Sequence, residues 1–71
     1  MTNWELLYKS MKENGFSERT LSIAAGRSHS WLHNIRKRNA EFKAGDIQKI
    51  CDLLKFEDTQ RQAVFFAACV D

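Results

Sequence analysis

Gly26 separates two short helical stretches, and the residues around it leave few ways to fold. Upstream, Ser17 is followed by Leu21, Ala24 and Ala25. A serine side chain accepts a hydrogen bond from a free amide in a helix's first turn, so Ser17 marks a start. Gly26 takes positive φ without steric cost and marks a stop about two turns later. Downstream, Ser28 is a second candidate cap, followed by Trp31, Leu32 and Ile35 on one helical stripe. Helices joined this tightly cross closely, so the first needs a small residue at the crossing, and Ser22 supplies it. Leu21, Leu32 and Ile35 fill the wedge between them. His29, Ser30, His33 and Asn34 are left on the outer face of the second helix.

A two-turn helix, a glycine turn and another helix make a helix-turn-helix. The rest of the chain supplies its support. Thr2 and Glu5 form a capping-box pattern, and Trp4, Leu7, Tyr8 and Met11 follow as one stripe. With Gly15 as a left-handed stop, the first helix is predicted over residues 3–14. A loop over 38–43 is expected to anchor Phe42 in the core. Ile47, Ile50, Cys51 and Leu54 form the cleanest stripe, in a helix over 44–55. A fifth helix is expected to start at Asp58 as N-cap. The absence of proline, with only three glycines in 71 residues, agrees with helices on short loops. The expectation is one all-α domain over residues 1–71.

Net charge is only +2, but it is unevenly spread. Residues 19–40 carry five bases (Arg19, Arg27, Arg36, Lys37, Arg38) and no acid. The first 18 residues carry two bases and three acids, and the last 31 carry four bases and six acids. A basic centre between acidic flanks suits a polyanion meeting one face. Cys51 and Cys69 lie in apolar helical patterns and read as reduced core thiols of a cytoplasmic protein. The first 15 residues are charged throughout, unlike a signal peptide. The longest apolar run, 63–70, is eight residues, against the roughly 20 a membrane span needs. No phosphate-cradling glycine loop, activated serine or paired-carboxylate arrangement is present, so no enzymatic activity is expected. His29 and His33 have the i, i+4 spacing that can hold zinc, but no third ligand stands nearby. Neither metal nor cofactor is expected.

The segment 16–35 resembles the lambda repressor-like, Cro-type helix-turn-helix family. Ser17, Leu21, Ser22, Gly26, Ser28, Leu32 and Ile35 match the family's cap, leucine, small residue, turn glycine, second cap and later aliphatics. Residues 46–54 are similar to its fourth helix, and 58–68 to the fifth helix of some members. The resemblance implies a five-helix lambda repressor-like domain whose second and third helices form the helix-turn-helix. It implies a DNA-binding transcriptional regulator of double-stranded DNA, a type common in bacteria and temperate phages and often dimeric. The third helix would enter the major groove. His29, Ser30 and Asn34 would then face base edges, Asn34 with paired bonds to an adenine. Ser17, Glu18, Arg27, Ser28, Trp31, His33, Arg36, Lys37 and Arg38 would contact the DNA backbone or a partner. Two positions depart from the family. Glu18 stands where glutamine is frequent, and Arg27 stands where an apolar residue or threonine is usual.

The last stretch, 62–70, is apolar on almost every side. Val64 and Ala68 can cover the core. Phe65, Phe66, Cys69 and Val70 are more than one small core can absorb, so they are expected at a homodimer or partner interface. Together with Glu18 and the modest charge, this supports a rival function. In that reading the chain is an antirepressor or modulator that docks on a phage repressor protein and blocks its DNA binding.

Overall fold

The computed structural model describes residues 2–66. Five helices follow in order: α1 (Trp4–Glu13), α2 (Glu18–Ala24), α3 (Trp31–Arg38), α4 (Ala44–Leu54) and α5 (Asp58–Phe65). Among the described residues there is no strand, and no helix is long and apolar enough to cross a membrane.

One device ends each of the first four helices. The residue after the last turn takes a left-handed conformation, and the next amide reaches back to a carbonyl five residues earlier. Gly15 (φ 78°) does this for α1, with Phe16 N donating to Met11 O at 2.8 Å. Gly26 (φ 79°) does it for α2, with Arg27 N on Ser22 O at 3.0 Å. Asn39 (φ 53°) and Lys55 (φ 58°) do it for α3 and α4, with Ala40 N on Ile35 O and Phe56 N on Cys51 O. The chain therefore reverses sharply four times without a proline.

The helix starts differ from the local patterns in three places. Asn3, not Thr2, caps α1, its Oδ1 accepting from Leu6 N at 3.1 Å. Asp58 is the first helical residue of α5 rather than its cap. The preceding Glu57 holds that position, and Gln60 Oε1 accepts its amide at 2.9 Å. Ser28 does not cap α3. Its carbonyl accepts from Trp31 N at 3.1 Å across a turn, and the helix begins only at Trp31.

The core takes the stripes as they were read: Leu7 and Met11, Leu21, Leu32 and Ile35, and Ile47, Ile50, Cys51 and Leu54. Val64 and Phe65 close it from α5. Phe42 does anchor the loop between α3 and α4. Its ring is buried, with Trp4 at 5.5 Å, Trp31 at 5.7 Å and Phe65 at 5.4 Å between centroids. Aromatic rings at such separations attract through tilted and edge-on contacts. Asn3 N donates to Val64 O at 2.6 Å, tying the start of α1 to α5.

Phe65 was expected at an interface and lies in the core instead, because its ring fills the space between Phe42 and Phe56. Phe66 packs half-buried against the same cluster. Cys69 and Val70 lie outside the described residues. Cys51 is buried, and loss of solvent pushes its thiol above the usual range. That suits an inert core side chain.

Candidate nucleic-acid interface

The α2–α3 pair is held together by one hydroxyl. Ser22 is fully buried, its Oγ donating to Glu18 O at 2.7 Å and accepting from Leu32 N at 3.0 Å. Leu32 N is one of the amides that α3 itself leaves unpaired, and Ser30, at the cap position, provides no side-chain bond. Ser22 thus caps α3 from the neighbouring helix. It satisfies the expectation of a small residue at the crossing and adds a role that no pattern local to α3 could reveal.

The late start of α3 sorts the expected reading residues into two groups. Ser28, His29 and Ser30 lie in the turn before the helix, so His29 and Ser30 are not on its outer face. Asn34 and His33 are exposed on α3 proper, as are Arg36, Lys37 and Arg38 in its last turn. These three cations complement the negative end of the helix. Ser17 is the α2 cap: its Oγ accepts from Thr20 N at 3.1 Å, and Thr20 Oγ1 accepts from Ser17 N at 2.7 Å.

Two of the five central bases already face acids. Arg27 donates to Asp46 Oδ1 from Nη2 at 2.7 Å and from Nε at 3.2 Å, and its guanidinium lies 5.5 Å over the Trp31 ring. Asp46 sits buried in the first turn of α4, where a carboxylate also meets the positive helix end. Arg36 donates from Nε to Glu18 Oε2 at 3.3 Å and lies 5.7 Å over the Tyr8 ring. Arg19, Lys37 and Arg38 are exposed and make no ion pair among the described residues.

Glu18 therefore does not point a bare charge at a ligand. Its Oε2 accepts from the Tyr8 hydroxyl as well as from Arg36, and its Oε1 lies 3.6 Å from His33 Nδ1. The Tyr8 hydrogen bond, reinforced by Arg36, holds the carboxyl below its usual range. Burial, then the adjacent carboxylate, push the Tyr8 phenol the other way. One carboxylate thus joins side chains from α1, α2 and α3. Neither Tyr8 nor Asp46 was singled out as a partner in the sequence. Each lies ten or more residues from the group it holds, and no helical spacing links them.

Among the described residues, no group of three or more His, Cys, Asp or Glu side chains could share a metal ion. No protein-family model matches the chain, and no curated protein or solved structure is similar to it.

Proposed function

We propose that the chain is a sequence-specific DNA-binding transcriptional regulator, with α2 and α3 as its helix-turn-helix and α3 laid in the major groove. The observation that carries this reading is the outer side of the α2–α3 pair. It is polar and exposed at His29, His33 and Asn34, and it ends in two cations, Lys37 and Arg38, that have no intramolecular ion pair among the described residues. Asn34 reads a base, with His29 and Ser30 reaching in from the preceding turn, and Lys37 and Arg38 hold phosphates. The test is fluorescence anisotropy with a labelled mixed-sequence duplex and with duplex from the gene's own neighbourhood. Salt-sensitive binding that is tighter on the native duplex is the expected result. Asn34→Ala should relax preference at one base pair, by about 1–3 kcal/mol, while leaving the others unchanged. Absence of binding to either duplex at low salt would refute the reading.

A second reading, a modulator that docks on a repressor protein, is favoured by one specific observation. Ile23 on α2 is 55% exposed, a large apolar side chain in solvent one helical turn from Arg19. If duplex binding is absent, a purified repressor should bind the chain and lose that binding on Ile23→Glu.

A further inference from the structure

Glu18 spends one oxygen on Tyr8 and Arg36 and turns the other toward an imidazole, and this asymmetry bears on what α3 can read. We propose that His33 is a base-reading residue whose ring Glu18 orients, so that Nε2 faces the groove as a hydrogen-bond acceptor. The inference rests on the DNA-binding reading and adds a specificity-determining residue to it.

Tyr8 and Arg36 both act on Oε2, which leaves Oε1 as the oxygen facing His33 Nδ1, at 3.6 Å. At that distance the charges interact directly, and a small ring rotation closes a hydrogen bond. An ionised carboxylate only accepts, so the imidazole nitrogen beside it carries the proton. A neutral ring protonated at Nδ1 has its lone pair on Nε2, on the far side of the ring. Half of the side chain is exposed, so that edge stays open to a ligand. The carboxylate is itself fixed from α1 and α3, which keeps the ring from sampling the other tautomer.

The major groove distinguishes bases by donors and acceptors. Adenine N6 and cytosine N4 donate, whereas guanine N7 and O6 accept. A neutral His33 held in this way accepts from an amino group and selects adenine or cytosine. A protonated ring donates from Nε2 and selects guanine at the same position. Histidine side chains change charge within about pH 5–8, so the preference becomes pH-dependent. The charged and titratable groups around His33 are Glu18 from α2, Tyr8 of α1 on the same carboxylate, and Arg36 and Lys37 of its own helix. Glu18 lies below the usual carboxylate range and keeps its charge across that window. His29, in the preceding turn, is the other histidine of the chain and the necessary control.

Two measurements test the proposal. Imidazole nitrogen NMR of the free protein at about pH 8 should find the His33 proton on Nδ1, and Glu18→Ala should shift it toward Nε2. Selection from randomised duplexes at about pH 8 and about pH 5 should move one position from adenine or cytosine to guanine, by roughly fivefold or more. His33→Ala should abolish that shift, and His29→Ala should keep it. A proton on Nε2 in the wild type overturns the orienting role of Glu18. Selective binding with no pH shift, or an unchanged preference in His33→Ala, overturns the base-reading role while the DNA-binding function stands. Failure to bind any duplex overturns both.

Discussion

Ser22 and Tyr8 show how single polar atoms hold this small fold together, and each makes a measurable claim. Ser22→Ala removes the acceptor of Leu32 N from a fully buried site. A buried donor left without a partner costs about 1–3 kcal/mol, and some relaxation toward water is available at a helix start. The expected loss is about 1–2 kcal/mol by denaturant unfolding, with unchanged m-value. In a domain of this size that lowers Tm by about 4–8 °C for each kcal/mol. A loss within error of zero would mean that another group caps α3. Tyr8 is the only tyrosine of the chain, so tyrosinate absorbance reports this phenol alone. Its folded pKa is raised above the usual 10.0, so the folded state keeps a proton that the unfolded state releases. That contribution is complete below the usual value and is lost as pH rises toward the folded one. Tyrosinate absorbance should therefore rise together with unfolding, and Tyr8→Phe should flatten the alkaline limb of stability. Glu18 is shifted in the opposite direction, below its usual 4.5. Its contribution is present above that value and is lost as pH falls through the lower folded pKa. Glu18→Gln should accordingly flatten the acid limb. An acid limb as steep as that of the wild type would contradict the hydrogen bonds assigned to this carboxylate.

At the scale of the helices, the left-handed stops are what turn a string of short elements into a packed domain. Two of them, Gly15 and Gly26, were legible because glycine reaches positive φ freely. Asn39 and Lys55 were not, because neither residue type marks a helix end strongly enough to be read in isolation. Lys55 at φ 58° bears the steric cost of a β-carbon in that region. Lys55→Gly should raise stability by about 0.5–1 kcal/mol, the relief of roughly 1–2 kcal/mol being offset in part by glycine's greater unfolded-state freedom. Asn39→Gly should gain less, since asparagine tolerates this conformation. A destabilising Lys55→Gly in thermal melts would show that the lysine side chain does more than end the helix. The same contrast separates what was readable elsewhere. Apolar stripes place the core face of α1 and α4 because they depend only on spacing along one helix. The start of α3 was misplaced at Ser28 because its real cap comes from Ser22, ten residues away on α2. The basic centre was visible as composition, yet its division into paired and unpaired cations depends on Asp46, nineteen residues from Arg27. Phe65 was assigned to an interface because hydrophobicity alone does not reveal the gap beside Phe42 that it fills.

For the whole molecule, the question is how many of the five central bases a duplex can claim. Opening the Arg27 pair would leave the Asp46 carboxylate, 6% exposed, without its partner. Stripping the partner from a buried charge costs several kcal/mol, more than one phosphate contact returns. Arg27 should therefore remain on Asp46 when DNA binds. Arg36 and Glu18 are more exposed, and an ion pair of that kind contributes about 1 kcal/mol or less. Its guanidinium is nevertheless also engaged with the Tyr8 ring, and leaving would strip Glu18 of a cation beside the phosphates. The cations available without rearrangement are thus Arg19, Lys37 and Arg38. Each neutralised phosphate contributes about 0.9 to the slope of log affinity against log salt. Three such contacts give a slope of about −2.7 for each copy bound, against about −4.5 if all five bases engage. Arg38→Ala should weaken binding about equally on all sequences and reduce the slope by about 0.9. Arg27→Gln should destabilise the fold while leaving the slope of the folded protein unchanged. A wild-type slope near the five-contact value, falling on Arg27→Gln, would mean that DNA breaks the Asp46 pair and that the basic centre acts as a single surface.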